Sequence, residues 1–299
     1  MCEPNVSEGR DPGRMARFGA AVEESPGVEL IHWSADPDHH RMVLAYRGAP
    51  DAVVRATSAL AAAVYAEVDL RRQRGQHPRI GALDVVPFVR GPGCAEADAL
   101  GAARSFGEWA AARSVPVFFY ERAAANPGRA SLPGIRSGQF EGLAEKLSNP
   151  EWRPDLGPRS PHPSLGAVVV GVRAALVRFN MNLDTEDPGP ARRIAAAIRE
   201  SSGGLPHVRA LGIPLRRRGL TQVSMNLTRH AVTGVNTVYE RVAAGARAEG
   251  VALAGCEFIG PVPADALRGL DPGRLDADLG PGQILQLPEA GDREHGGGE

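Results

Sequence analysis

The order of secondary-structure segments constrains this chain more tightly than any single motif. Hydrophobic periodicity places a strand at 1–6, a helix at 12–24, strands at 28–33 and 42–47, a helix at 50–70 and a strand at 81–89. The second half repeats the order: a strand at 175–183, a helix near 189–202, strands near 207–216 and 220–228, a helix near 235–249 and a strand at 251–260. Each half opens on a strand that carries asparagine into a polar turn, EPNVSEGRD and FNMNLDTED. Strand–helix–strand–strand–helix–strand is the ferredoxin-like order. The expected fold is therefore α/β (α+β), with two ferredoxin-like subdomains and a ligand cleft or tunnel between them. The boundaries expected are 1–174 for the first subdomain, 175–285 for the second, and 286–299 for a disordered tail ending in GDREHGGGE.

Local signals sharpen this reading. Asp11 followed by Pro12 is an N-cap with proline at the first helical position. Between about 121 and 165, glycine and proline punctuate ANPGRASLPGIRSGQFEGL and NPEWRPDLGPRSPHPSLG, which reads as a long functional loop or lid. The runs AVVVGVR and AALVRFNMNL follow as adjoining strands with no helix between them.

Composition removes several classes. A net charge of -1 gives no electrostatic case for nucleic acid or a membrane surface. No stretch approaches the ~20 apolar residues of a membrane span, and MCEPNVSEGRD lacks a signal-peptide core, so the expected location is the cytoplasm. Cys2, Cys94 and Cys256 are odd in number and widely spaced, which suits idle thiols in a reducing compartment. Asp36, Asp38, His39 and His40 are too close in one short loop to converge on an ion, and no zinc spacing occurs; no metal is expected.

The stretch RGQHPRIGALDVVPF sets His77 on the lip of the most strand-like segment, with Arg79 two residues on. Together with CEPNVSEGRD, EGLAEKLSNPEWRPDLGP, GAVVVGVRAALVRFNMNL, QVSMNL and TVYERV, it resembles the glutamate formiminotransferases, collinearly over roughly residues 1–285. The resemblance implies transfer of the formimino group of N-formimino-L-glutamate to N5 of tetrahydrofolate, in a tunnel between two α/β subdomains and without a metal. It implies a homodimer acting on small molecules, with tetrahydrofolate as co-substrate. No cyclodeaminase region follows, so release of ammonia from the product is not expected.

The same resemblance assigns residues. His77 falls on the family's catalytic histidine. The folate-binding stretch falls on the loop 157–166, with Gly157, Pro158, Ser164, Leu165 and Gly166. Asn5, Glu8 and Arg41 fall among the substrate- or folate-binding positions, as do Asn180, Asn182, Gln222, Ser224 and Asn226. The residues' own chemistry agrees for His77, because moving an amidine carbon between nitrogens needs one group to accept and then return a proton near neutral pH. Arg79 is a candidate for holding a carboxylate through a bidentate pair. Arg216, Arg217 and Arg218 at a hairpin are a candidate contact for a polyglutamate tail.

The chain departs from the family near the site. Gln76 stands where a glutamate is usual and Arg74 where a histidine is. His32 and Ser34 replace aspartates, and His40 replaces an asparagine. In the folate stretch, Pro161 and Leu165 replace aromatics. Fewer carboxylates mean fewer partners for an amidinium and for the histidine itself, and fewer aromatics mean less stacking for a pterin. Two other functions therefore stand beside glutamate formimino transfer: one-carbon transfer to or from another amine in specialised metabolism, and a non-catalytic folate-binding homologue.

Overall fold

The computed structural model describes residues 1–91, 93–270, 279–280 and 282–285. The expected tail, 286–299, lies outside the described residues. The first unit opens with β1 (Asn5–Val6), α1 (Pro12–Glu23), β2 (Val28–Asp36), β3 (Arg41–Gly48), α2 (Pro50–Glu67) and β4 (Leu83–Val89). The Asp11 carboxylate accepts from the Arg14 amide at 3.1 Å and starts α1, with Pro12 in the first turn. β2 runs three residues past the expected end at 33, so the loop to β3 shrinks to the turn 37–40. α2 ends at Glu67 instead of 70, where Val68 adopts an extended conformation.

The strands lie in the order β2-β3-β1-β4, antiparallel at each pairing. α3 (Glu96–Ala111) then leads to β5 (Val117–Glu121), and the sheet is completed by β6 (Val168–Arg173), which pairs in parallel with both β4 and β5. The first sheet thus has six strands, two more than the repeat alone accounts for. The segment expected as one long loop folds into α4 (Leu132–Arg136), α5 (Leu143–Ser148) and two short 3-10 turns. Its apolar residues Ile135, Leu143 and Leu147 cover Val85, Phe118 and Val169, which supplies the burial that makes ordering it favourable.

The second unit follows the expected order: β7 (Val177–Leu183), α6 (Pro188–Ile198), β8 (Val208–Leu215), β9 (Leu220–Leu227), α7 (Val235–Ala248) and β10 (Leu253–Phe258). Its strands lie β10-β7-β9-β8, all antiparallel. A two-strand parallel pair, β11 (Val262–Pro263) with β12 (Ile284–Leu285), closes the described chain. α6 is shorter than expected, and a 3-10 turn at Glu200–Ser202 continues it.

Period-2 alternation sets what each sheet presents. Along β7, Val177, Phe179, Met181 and Leu183 enter the core under α6 and α7, while Arg178, Asn180 and Asn182 take the other face. β9 does the same, with Val223, Met225 and Leu227 inward and Gln222, Ser224 and Asn226 opposite. In the first sheet, Met42, Leu44, Tyr46, Val86 and Phe88 pack with α1, α2 and α3. The residues between them, Arg41, Val43, Val85 and Pro87, line the cavity that also receives Asn180, Ser224 and Asn226. Each sheet therefore buries one face beneath helices and turns its polar face toward the other sheet.

Gly166 tests how closely the loops beneath the cavity are packed. It has φ of +71°, and an added Cβ would meet the Ile80 carbonyl oxygen at 2.0 Å. Gly101, exposed in the middle of α3, has nothing within 4 Å of its Cβ position. Gly166→Ala should cost more than about 2 kcal/mol in urea unfolding, through backbone strain and the clash. Gly101→Ala should instead gain about 0.5–1 kcal/mol by helix propensity. A Gly166→Ala midpoint equal to the parent would contradict this packing.

Candidate active site

Two cavities lie between the sheets. The first, about 450 Å³, is bounded by β1, β3, β7, β9 and β10. The second, about 640 Å³, opens between α4 and the edge strand β8 and is lined by Pro133, Val208, Ala210 and Leu211 among others. Both sizes suit a small-molecule site. Six residues line both: His77, Leu132, Arg136, Arg209, Ser224 and Asn226. His77 therefore stands where the two chambers meet.

The loop that carries His77 is fixed from several sides. The Gln76 amide donates to the Asp38 carbonyl, and the Gln73 side chain donates to the His40 carbonyl. Asp84, a fully buried carboxylate on β4, accepts from the backbone amides of Ile80 (2.8 Å) and Gly81 (3.2 Å) through one oxygen. The His77 Nδ1 lies 2.9 Å from the Pro78 carbonyl, which can only accept, so Nδ1 carries the proton and Nε2 keeps the lone pair. Burial, then the cations Arg41 and Arg136 and the neighbouring His39, push the His77 pKa well below its ordinary value. The ring is neutral at pH 7 and able to accept a proton.

Arg41 donates from Nε and Nη2 to Asn5 Oδ1 and from Nη1 to the second oxygen of Asp84, at 3.0, 2.8 and 3.0 Å. Arg136 donates to the same Asp84 oxygen from α4. Just before β1, Glu3 is shared by Arg173 at the end of β6 and by Arg178 on β7 of the facing sheet. Burial would raise the Glu3 pKa, but Arg178 and Arg173 outweigh it and hold it down to about 2. From β10, Glu257 accepts from the Asn180 and Gln222 amides. His39 lines the first cavity with its ring centroid 5.6 Å from that of His77, and its Nε2 is buried with no hydrogen-bond partner among the described residues.

Of the residues singled out in the sequence, Asn5, Arg41, His77, Asn180, Ser224 and Asn226 meet at these cavities. His32 and Ser34 line the first cavity as well. Asn182 and Gln222 lie behind the wall, joined to each other and, through Gln222, to Glu257. Glu8 is turned away from both cavities: its oxygens accept from the amides of Gly9, Arg10 and Asp11 and from Arg14, and His40 Nε2 lies 3.1 Å from it. Arg79 lines neither cavity, because its guanidinium is already held bidentately by Glu141 at 2.7 and 2.8 Å and by Gln73 at 2.7 Å.

The loop 157–166 also lines neither cavity. The Leu165 carbonyl accepts from Ala82, the Ser164 carbonyl accepts from Leu70, and Gly166 bridges to Gly81, so Ser164, Leu165 and Gly166 brace the His77 loop from beneath. Gly157 has φ of +82° and sits against the Val115 carbonyl, with Pro158 next to it. Arg217 and Arg218 latch the two units: the Arg217 amide donates to Asp38 at 2.9 Å and Arg218 to Asp36 at 2.7 Å. Adjacent His39 and His40 point to different places, His39 to the first cavity and His40 to the Arg74 carbonyl and Glu8. Among the described residues, no group of three or more His, Cys, Asp and Glu side chains could hold a metal ion, and no helix is long and apolar enough to cross a membrane.

Sequence reasoning overlooked Asp84, Arg136, Arg173, Arg178 and Glu257. Asp84 carried a signal, a carboxylate inside the otherwise apolar run LDVVPFV. The arginines carried none, since their partners lie 52, 170 and 175 residues away.

Comparison with known proteins agrees with this geometry. Residues 1–173 match the formiminotransferase domain, N-terminal subdomain, and residues 178–271 match the formiminotransferase domain. The chain is 38% identical over 271 residues to a glutamate formimidoyltransferase of Streptococcus pyogenes serotype M1, covering 89% of each. It is 36% identical over 269 residues to a glutamate formimidoyltransferase of Thermoplasma acidophilum, covering 89% of this chain and 88% of the relative. It is also 39% identical over 274 residues to the formimidoyltransferase-cyclodeaminase of Sus scrofa, of whose length it spans 50%. With both domains matched in order across one two-sheet architecture, the chain belongs to the formiminotransferase family of transferase enzymes.

Proposed function

We propose that this protein is a glutamate formimidoyltransferase that moves the formimino group from N-formimino-L-glutamate to N5 of tetrahydrofolate. One observation carries the reading: a neutral imidazole, His77, stands at the shared wall of two chambers. Direct transfer between two bound molecules needs such a meeting point, with one proton carrier able to reach both. We place the donor in the polar first chamber, with its amidinium toward Glu257 and Asp36, and tetrahydrofolate in the second, wider chamber. The subdomain limits 1–174 and 175–285 fit this reading, since the chambers lie between the two sheets. The reading places the enzyme in histidine degradation, as a cytoplasmic homodimer.

The chemistry balances with His77 alone as proton carrier. The N5 lone pair attacks the amidinium carbon, a C–N bond forms, and the N5 proton passes to Nε2 of His77. The bond from that carbon to the glutamate nitrogen then breaks, and its electron pair stays on the nitrogen. His77 returns the proton to that nitrogen, releasing glutamate and 5-formiminotetrahydrofolate. The Pro78 carbonyl holds the ring in one tautomer throughout, and Asp84 holds the loop that positions it.

His77→Ala should lower kcat by roughly a hundredfold or more, the scale of lost general acid–base help. It should change unfolding free energy by less than about 1 kcal/mol, since the half-buried ring lines the cavities and belongs to none of the hydrophobic cores. His77→Asn keeps a hydrogen bond but cannot carry a proton near pH 7, and should be nearly as slow. Mass spectrometry of tetrahydrofolate incubated with formiminoglutamate reads the product; a His77→Ala enzyme with parental turnover would move the proton to another group.

The pH dependence follows in sign from the same environment. Because the His77 pKa is lowered, its basic form persists as pH falls below 6.5. The acid limb of kcat/KM should therefore have its midpoint below 6.5, and the His77 ring should titrate by NMR on the same curve. A midpoint at or above 6.5 would contradict the cationic, desolvated setting described.

A further inference from the structure

The first cavity holds a charge imbalance that transfer chemistry at His77 does not use. Asp84 is shared by the guanidiniums of Arg41 and Arg136, and Glu3 by those of Arg173 and Arg178. All four arginines line the cavity, while Glu3 and Asp84 are 2% and 0% exposed behind them. Arginine keeps its proton in proteins. Both carboxylates are ionised, because their arginine pairs outweigh the effect of burial. Two guanidiniums against one carboxylate leave one net positive charge at each cluster.

None of the other carboxylates lining the cavity is paired with either cluster, and only Glu257, which sets one negative charge against the two positive ones, lacks a guanidinium of its own. Glu121 is paired with Arg209, and Asp36 with Arg218. Glu257 is held by the amides of Asn180 and Gln222 and lies 4.0 Å from Arg218. Arg136 Nε is buried without an acceptor among the described residues. An uncompensated cation removed from water is costly unless an anion completes it. The planar guanidinium fork suits a carboxylate in particular.

We propose that the two clusters are paired carboxylate receptors, Arg41 with Arg136 and Arg173 with Arg178, and that each reads one of the two carboxylates of the formimino donor. The proposal rests on the donor assignment above and adds the basis of its selectivity. The site is selective for a dicarboxylic amino acid because a donor with one carboxylate leaves one cluster unanswered. Arg136 and Arg178 are then specificity-determining residues, with Asp84 and Glu3 as the positioning groups that aim them.

The test needs no variant at first. Wild-type enzyme is assayed with N-formimino-L-glutamate, with its side-chain amide N-formimino-L-glutamine, and with the amide of its α-carboxylate. Each loss of a carboxylate should lower kcat/KM by about 10- to 100-fold, the range of a charge-assisted hydrogen bond. Arg136→Gln and Arg178→Gln should then raise KM for the dicarboxylate, with kcat changed less. Each should have an effect of no more than about 3-fold on the amide lacking the carboxylate it served, by the logic of a double-mutant cycle. A purely structural arginine would slow all three donors alike, and that result overturns the proposal, as does equal turnover of the three by the wild type.

Calorimetry with L-glutamate and L-glutamine reads the receptors without turnover. Tighter binding of glutamate upholds them even if none of the formimino compounds is a substrate, in which case the donor assignment alone fails. Equal binding of the two amino acids overturns the receptors. Weakened tetrahydrofolate binding in both variants, with donor KM unchanged, would give the clusters to the folate's glutamate tail and overturn the proposal. If either variant does not fold, the wild-type donor series and the calorimetry decide alone.

Discussion

The rest of the site depends on one buried carboxylate. Asp84 sits in the middle of the first sheet with no exposed surface, and it answers four donors: the Ile80 and Gly81 amides, Arg41 and Arg136. A buried charge of this kind is tolerable only when its partners saturate it. The saturation links three separate elements, the loop after α2 that bears His77, the strand β3, and the short helix α4. Deleting one partner of such a buried arrangement generally costs about 3–5 kcal/mol, so the elements are held together or lost together. His77 thereby inherits its position from the sheet instead of from its own packing.

The same arrangement sets the electrostatics. Burial of the imidazole, with Arg41 and Arg136 fixed near it, keeps it neutral, which is the protonation state a base requires. Facing them, the second sheet contributes a polar surface with only short side chains at its centre, Asn180, Ser224 and Asn226, which leaves room for two chambers. The latches from Arg217 and Arg218 to Asp38 and Asp36, and from Arg209 to Glu121, join the units around the edge of that space. Two chambers meeting at one neutral imidazole suit a reaction in which a group passes directly from one bound molecule to another.

The fold was largely legible because both halves alternate and cycle with clear periods. Valine-rich strands and alanine-rich helices leave little ambiguity of type, and the Asp11–Pro12 start of α1 could be read from two residues. The segment from 121 to 165 reads in sequence as a long loop or lid, because α4 and α5 are five and six residues long and too short to show a helical period. At the site, Asn180, Ser224 and Asn226 came from the family resemblance, and the period-2 alternation of β7 and β9 is what turns them away from the core. Arg79 read as a free carboxylate ligand because its partner, Glu141, is 62 residues away in sequence. The same limit hid Arg136, Arg173 and Arg178. Long-range ion pairs leave no periodic trace, and the one that could have been suspected, Asp84, stood out only as a charge in a buried strand.

The central claim is that donor and acceptor occupy adjoining chambers at the same moment and that the formimino group passes between them without residing on the protein. Initial-rate kinetics test it most directly, with formiminoglutamate and tetrahydrofolate varied against each other. Direct transfer gives intersecting double-reciprocal lines, the signature of a complex holding both substrates before either product leaves. Parallel lines would signal ping-pong transfer through a covalent enzyme intermediate, and would contradict it.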